Sequence, residues 1–304
     1  GGNIMHLTES LSNHMKGVPV IHEVAAVIGS EYFNAISIKE KSLALVTAGP
    51  GLTNTITGIA GSWLENRFIL IIGGQVKTSD LKNNSNLRQR GIQEINGTEL
   101  VKSICKISKR IDKPISKNDF LDLISIGYKG KKGPVFFEFP LDIQAINTPK
   151  FFKATENQIF DETNFDEDNF EQNLELLFEQ YLISKKPILL IGGGVDYECA
   201  VKMNNLLSTI KVPIMTTYNG ADRVDGNYEF YFGRPNTWGQ RSSNILIQKS
   251  DLIIVFGSRL GLQQTGFNWQ EFGRNSKIIQ VDIDQNELDK GHPNIDYKIR
   301  ADCN

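Results

Sequence analysis

Apolar residues along the chain fall into short unbroken runs separated by stretches of helical spacing, and this rhythm predicts most of the elements. Residues 3–15 place Ile4, Met5, Leu7, Leu11 and Met15 on one face of a helix. Residues 18–21, Val-Pro-Val-Ile, read as a short strand that hands over at His22 and Glu23 to a helix through residues 24–28. Residues 41–47 are strand-like, and Ala48-Gly49-Pro50-Gly51 then turns into a helix of small residues over 52–61. The run 67–73, Arg-Phe-Ile-Leu-Ile-Ile-Gly, is apolar throughout, as a strand buried on both faces of a parallel sheet must be. A helix and a strand follow in 98–110, a helix in 117–128, and a last strand in 133–140 closed by Pro140.

Residues 146–168 mix Pro, Lys, Asn and acidic residues without a period, as a linker does. A helix over 169–183 offers Phe170, Leu174, Leu176, Leu177 and Tyr181 for one face, and buried strands recur at 188–191, 212–217, 251–257 and 276–284. Strand and helix alternating in this way predict the α/β class, with two doubly wound parallel-sheet domains. The expected division is a first domain over 1–147, a linker and connecting helix over 148–184, and a Rossmann-like second domain over 185–304.

Composition narrows the partners more than the fold. The 304 residues are enough for two cores, and 33 basic against 35 acidic residues leave a formal charge of −2, with a pI near 6.2. There is no basic field to attract nucleic acid or an anionic membrane surface, so neither is expected as a partner. Cys105, Cys199 and Cys303 are far apart and lack Cys-x-x-Cys or Cys/His ligand spacing, so neither a disulfide framework nor a metal site is expected. A reducing, cytoplasmic setting is the natural expectation; no apolar run approaches the ~18 residues of a membrane span.

Glu23 is the leading candidate for chemistry. A carboxylate at a helix start also stabilises its own helix through the dipole, so position alone leaves both roles open. The Gly49-Pro50-Gly51 turn adds backbone that a ligand can approach and free N–H groups at a helix start. Both features sit at the carboxyl ends of successive expected strands, where open α/β sheets place ligand crevices. Ile21, Val24 and Ala26 around Glu23 suggest a dry, apolar pocket in which a proton could be shared. In the second half Gly192-Gly193-Gly194 follows a buried strand, but the full G-x-G-x-x-G is absent because position 197 is Tyr.

Four motifs in order, H-E-x-A-A from His22, T-A-G-P-G-x-x-N from Thr47, I-I-G-G-Q-V from Ile71 and I-Q-E from Ile92, resemble the pyrimidine-binding domain of thiamine-diphosphate enzymes of the acetolactate synthase-like group. The resemblance implies that Glu23 bonds the ring nitrogen of the cofactor's aminopyrimidine and drives its activation. It implies that Thr47, Gly49, Pro50 and Asn54 hold the pyrimidine, and that Gln93 faces a 2-oxo acid substrate. Ile92 stands where the family has an aromatic residue, and the loop before it is longer. The second half resembles the family's central domain, in which Gly192, Gly193, Gly194, Thr217, Arg259 and Asp282 fall on positions that contact FAD. Against flavin, Arg259 is followed by Leu260-Gly261-Leu262-Gln263-Gln264 rather than a second basic residue, and Tyr231-Phe232-Gly233-Arg234 is similar to members without it.

The G-D-G…Asn motif that holds magnesium and the diphosphate in this family does not occur in the sequence. The resemblance therefore implies that the metal site lies outside this chain, that the chain alone is inactive, and that the whole enzyme is a homodimer or homotetramer. Its reaction would be carbon–carbon lyase or carboligase chemistry on a 2-oxo acid such as pyruvate, by default acetolactate formation. The R-x-R-G-I-Q-E wording from Arg88 is also similar to enzymes acting on activated sugars in surface polysaccharide synthesis. A different class remains open, a binding or regulatory module that kept the two domains and lost catalysis. A dehydrogenase reading of the Gly192 turn lacks the ribose-binding acid about twenty positions on, where Lys211-Val212-Pro213 stands.

Overall fold

The structure is a computed structural model that describes residues 1–83, 85–147, 169–207 and 209–304. The chain divides into two compact units, Gly1–Thr163 and Asn164–Asn304. The boundary, and most of the expected linker over 148–168, lie outside the described residues.

The first unit is a four-stranded sheet built from β1 (Leu43–Val46), β2 (Leu70–Gln75), β3 (Ile107–Arg110) and β4 (Val135–Pro140). Its order is β1-β2-β4-β3 and every pairing is parallel. The apolar runs become strands because both faces are covered. Ile69, Ile71 and Phe136 pack with Val27, Leu52 and Ile59 on one side, and Leu70, Ile72 and Phe137 pack with Phe68 and Ile124 on the other. Around the sheet run α1 (Met5–Ser12), α2 (Glu23–Ile36), α3 (Pro50–Thr53), α4 (Ile56–Leu64), α5 (Gly97–Val101), α6 (Lys117–Ser125) and α7 (Leu141–Gln144). α2 lies on α4 so closely that Gly58 is required: a Cβ there would stand 2.7 Å from a Val27 methyl.

The second unit opens with α8 (Phe170–Ile183) and holds a five-stranded parallel sheet. Its strands β5 (Pro187–Ile191), β6 (Ile214–Thr216), β7 (Leu252–Phe256), β8 (Lys277–Asp282) and β9 (Tyr297–Arg300) run in the order β6-β5-β7-β8-β9. Helices α9 (Tyr197–Leu207), α10 (Arg241–Lys249), α11 (Leu262–Thr265) and α12 (Gln285–Asp289) connect them. Two parallel sheets covered by helices are the α/β architecture expected.

Three expectations change. Residues 18–21 are not a strand: Val18 and Ile21 are exposed, and the sheet ends at β1 with no pairing to this segment. An apolar run shows that a residue can be buried, not that a neighbouring strand is there to pair with it, and Pro19 lacks a ladder donor. The first helix stops at Ser12 and buries none of its residues fully, with Leu7 half-buried against the core. In α8 only Leu177 and Tyr181 of the expected face pack on the sheet, while Phe170 and Leu174 stay exposed. β9 escaped the sequence pattern, because Tyr297-Lys298-Ile299-Arg300 is an edge strand with a single buried residue.

Candidate active site

α2 begins at Glu23 because His22 is extended and caps the helix, its ring Nδ1 accepting from the Val24 N–H at 3.3 Å. α3 begins at Pro50, whose fixed φ suits a first helical position, and Gly49 before it takes φ +69°. α3 lasts one turn, so Asn54 comes off its end facing back toward α2. Asn54 Nδ2 donates to Glu23 Oε2 at 2.9 Å. A Cβ on Gly51 would stand 2.8 Å from Thr47 Cγ2 and 3.3 Å from Glu23 Oε1, so glycine lets this helix start lie against both side chains.

Gln93 reaches the same place from the loop after β2. A Cβ on Gly49 would meet the Gln93 carbonyl oxygen at 2.7 Å and the Gln93 Cβ at 2.8 Å. Gln93 itself has φ 62°, a left-handed conformation that costs a residue with a side chain and persists only where its surroundings hold it. Glu23, Thr47, Gly49, Gly51, Asn54 and Gln93 thus gather at the carboxyl end of β1, while Pro50 is exposed at the head of α3.

The electrostatics differ from the expected dry pocket. The Asn54 amide, and then Glu23's own backbone N–H, hold the Glu23 carboxyl below the usual carboxylate range, outweighing the opposing effect of burial. Ile21 is fully exposed and Val24 and Ala26 are only half-buried, because the segment before α2 pairs with nothing and builds no wall. Glu23 is set by a polar partner rather than by apolar surroundings. Beside it, the Thr47 hydroxyl oxygen is buried without a hydrogen-bond partner.

Sequence reasoning missed the residues that hold the Gln93 turn. Buried Glu94 accepts N–H bonds from Lys82 (2.7 Å), Arg90 (2.9 Å) and Gly91 (3.0 Å), closing the polar loop onto its own end. These three bonds outweigh burial and lower its pKa. Gln75, at the end of β2, donates from Nε2 to the Ile95 carbonyl at 2.9 Å and to Glu138 Oε1 at a longer 3.4 Å. Glu138 is 1% exposed, and burial pushes its carboxyl up to about 7, with the Arg110 charge and the Gln75 bond opposing. The available signal was a charged residue inside the apolar run Val135-Phe136-Phe137-Glu138-Phe139.

The glycines of the second unit are used differently. A Cβ on Gly192 would stand 2.1 Å from the Gly257 carbonyl oxygen, and one on Gly194 would stand 2.9 Å from both that oxygen and the Gly257 Cα. Gly192 N–H donates to Phe256, Gly194 N–H to Gly257, Thr217 N–H to Ile191 and Gly257 N–H to Val281. A Cβ on Gly193 would meet the side chain of Asn219 at 2.9 Å. Asp282 is buried and accepts from the Asp284 N–H at 2.9 Å, and Arg259 is exposed. These amides are committed to strand-end packing, whereas a dinucleotide's diphosphate needs outward N–H groups.

Residues 1–100 match the family model described as "Thiamine pyrophosphate enzyme, N-terminal TPP binding domain", and residues 178–304 match "Thiamine pyrophosphate enzyme, central domain". The chain belongs to the thiamine pyrophosphate enzymes. Among curated relatives of this family, it is 27% identical over 295 residues to the acetolactate synthase isozyme 2 large subunit of Escherichia coli K12, covering 95% of this chain and 51% of that protein. It is 27% identical over 288 residues to a probable acetolactate synthase large subunit of Methanococcus aeolicus, covering 93% of this chain and 46% of that protein. With the chloroplastic acetolactate synthase of Arabidopsis thaliana it shares 26% identity, over 95% of this chain and 42% of that protein. The chain spans about half the length of the curated relatives it matches.

Within this member of the thiamine pyrophosphate enzyme family the two units differ in what they could offer a cofactor. The first presents an anionic carboxylate, an amide and an unpartnered buried hydroxyl around one glycine turn, a donor set suited to a nitrogen heterocycle. The second presents a turn whose Gly192 and Gly194 amides are already bonded to neighbouring carbonyls, which leaves neither of them for a flavin diphosphate.

Proposed function

We propose that the chain supplies the pyrimidine-activating part of a thiamine diphosphate-dependent carboligase or lyase acting on a 2-oxo acid such as pyruvate, with acetolactate formation as its default reaction. The observation that carries this reading is the Glu23–Asn54 hydrogen bond, made across 31 residues at the Gly49–Gly51 helix start with Gln93 packed on Gly49. When bound, thiamine diphosphate supplies an electron sink for breaking and making the carbon–carbon bond beside a 2-oxo acid's carbonyl.

The residues of this chain do the proton handling around it. Glu23, kept ionised by Asn54, is ready to accept a hydrogen bond and a proton from a ring nitrogen. Asn54 fixes the carboxylate by holding Oε2, and the Thr47 hydroxyl lies buried without a partner where Gly1 packs on it. Gln93 has an exposed amide that can both donate to and accept from a carbonyl-bearing substrate. Glu23 moves the proton, and Thr47, Gly49, Pro50 and Asn54 shape the place where it is moved.

The acceptor belongs to this reading too. Ile92 is 81% exposed and offers no aromatic face, and the longer loop before it is closed by Glu94. Together with the R-x-R-G-I-Q-E wording, these features support an activated sugar as acceptor beside a second 2-oxo acid. Magnesium on the diphosphate, a homodimer or homotetramer and a cytoplasmic setting complete the proposal.

The test is Glu23→Gln in the complete natural protein supplied with thiamine diphosphate, magnesium and pyruvate. Turnover should fall by about 10²–10⁴-fold, the usual contribution of a positioned acid–base group. Unchanged turnover would remove Glu23 from the mechanism.

A further inference from the structure

Gln93 is held in a left-handed conformation by something other than its own preference, and the residues beneath it show what. The turn runs from Gly91 to Gly97, where α5 begins. Its near end is gathered by Glu94, which ties the Lys82, Arg90 and Gly91 amides. Its far end sits on Glu138. A Cβ on Gly97 would stand 2.2 Å from Glu138 Oε1 and 2.3 Å from Leu52 Cδ1, so the chain passes directly over the carboxyl and against α3. Gln75 bridges from Glu138 to the Ile95 carbonyl, and the Gly97 backbone packs against the same carboxyl. Gly73, the register partner of Glu138 on β2, has no side chain to fill this space.

We propose that Glu138 is a positioning residue for the proposed reaction: through Gln75 and Gly97 it fixes the far end of the turn and so keeps Gln93 against Gly49, beside Glu23. The inference rests on the reading above that Gln93 faces substrate. A carboxyl placed only for core stability has no reason to sit where it is. Leucine or phenylalanine would fill an apolar strand at no desolvation cost, whereas Glu138 is 1% exposed and leaves Oε2 with no partner. What it gains is an acceptor for Gln75 where Gly97 packs on the end of the sheet. The charged groups near it are Arg110, its register partner on β3, and Asp112.

The experiment uses the complete natural protein with four variants: Glu138→Gln, which keeps the acceptor; Glu138→Leu, which removes it; Gln93→Ala; and Gln93→Ala with Glu138→Leu. Amide hydrogen exchange is read over residues 91–97 against strands β1 and β2, and kcat and KM are read for pyruvate turnover. Glu138→Leu should speed exchange by about tenfold or more in 91–97 while β1 and β2 keep their protection, and Glu138→Gln should restore it. In turnover, Glu138→Leu should lower kcat by about tenfold, and the double variant should be no slower than Gln93→Ala alone, as residues acting through one group are not additive. Exchange that is unchanged, or that rises equally in the strands, overturns the proposal, as does a double variant in which the two losses multiply. Should Glu138→Leu fail to fold, Gln75→Leu cuts the same bridge from its other end, and the same local exchange is expected of it or the proposal fails. Local loosening in a protein that never turns over a 2-oxo acid would uphold the positioning role and reject the functional reading instead.

Discussion

Each unit of this chain carries a glycine turn at the carboxyl end of a parallel strand, the edge strand β1 in the first and the interior strand β5 in the second, and the two turns do opposite things. At Gly49-Pro50-Gly51 the missing side chains let a carboxylate, a hydroxyl and an amide turn converge from separate elements. At Gly192-Gly193-Gly194 they let one backbone lie on another, with Gly257 and Asn219 filling the space. A glycine turn after a buried strand therefore marks close approach, and only the atoms that do the approaching say whether it is a site. In the first unit they are side-chain polar groups; in the second, carbonyls and amides already bonded to each other.

The most direct way to break the comparison is to put a Cβ into each turn. Gly192→Ala would press a methyl to 2.1 Å from the Gly257 carbonyl oxygen, backbone that cannot rotate away. It should cost the second unit about 4 kcal/mol or more, the exceptional range for a single substitution. Gly49→Ala meets Gln93 and a positive φ, so its strain of about 1–3 kcal/mol should fall on the site, weakening thiamine diphosphate binding while the unit still folds. Calorimetry and a cofactor titration on both variants check this. If Gly192→Ala left melting unchanged, the second turn would not be a packing turn.

A second effect sharpens what is particular to the first unit. Glu138 titrates near 7 when folded, against a reference value of 4.5. A carboxyl whose pKa is raised by folding binds its proton more tightly in the folded state. The stability it contributes is present below about 4.5 and lost as pH climbs to about 7, which for ~2.5 units amounts to about 3 kcal/mol. Glu31, raised chiefly by burial despite its 3.0 Å bond to Arg67, acts with the same sign. Glu23, Glu94 and Asp142 are lowered and act the other way, losing their stabilisation only as the medium becomes more acid than the ordinary carboxylate range. Denaturant melts of Glu138→Gln from pH 4.5 to 7 should be flatter than those of the natural chain; parallel curves would deny Glu138 its raised value.

The same contrast shows what was legible in the sequence. The buried strands were, because a sheet covered on both faces must be apolar at every position, as Ile69, Leu70, Ile71 and Ile72 are. The gathering of Glu23, Thr47, Gly49, Asn54 and Gln93 was implied by motif order alone. The environment of Glu23 was not, since Ile21 looks like a pocket wall in sequence and only a pairing partner could have made it one. Nor could spacing reveal that Gly192 and Gly257, 65 positions apart, would be in contact. Glu94 was passed over because its partners are backbone N–H groups, which every sequence has everywhere, and Glu138 because its side-chain partner Gln75 lies 63 positions away.

The smallest expected effect tests the closed turn from outside. Arg259 follows β7 and is exposed, and it is the residue that the family resemblance implied for flavin. Its carbonyl, not its side chain, is what the protein uses, accepting from Lys290 Nζ. Arg259→Ala should therefore change stability by no more than about 0.5 kcal/mol, as surface substitutions usually do. Added FAD should leave the visible absorbance and the melting of the natural protein and the variant alike. A flavin band in the natural protein that Arg259→Ala abolishes would reverse the comparison, because a ligand would then have to enter where Gly192, Gly194 and Gly257 now close on one another.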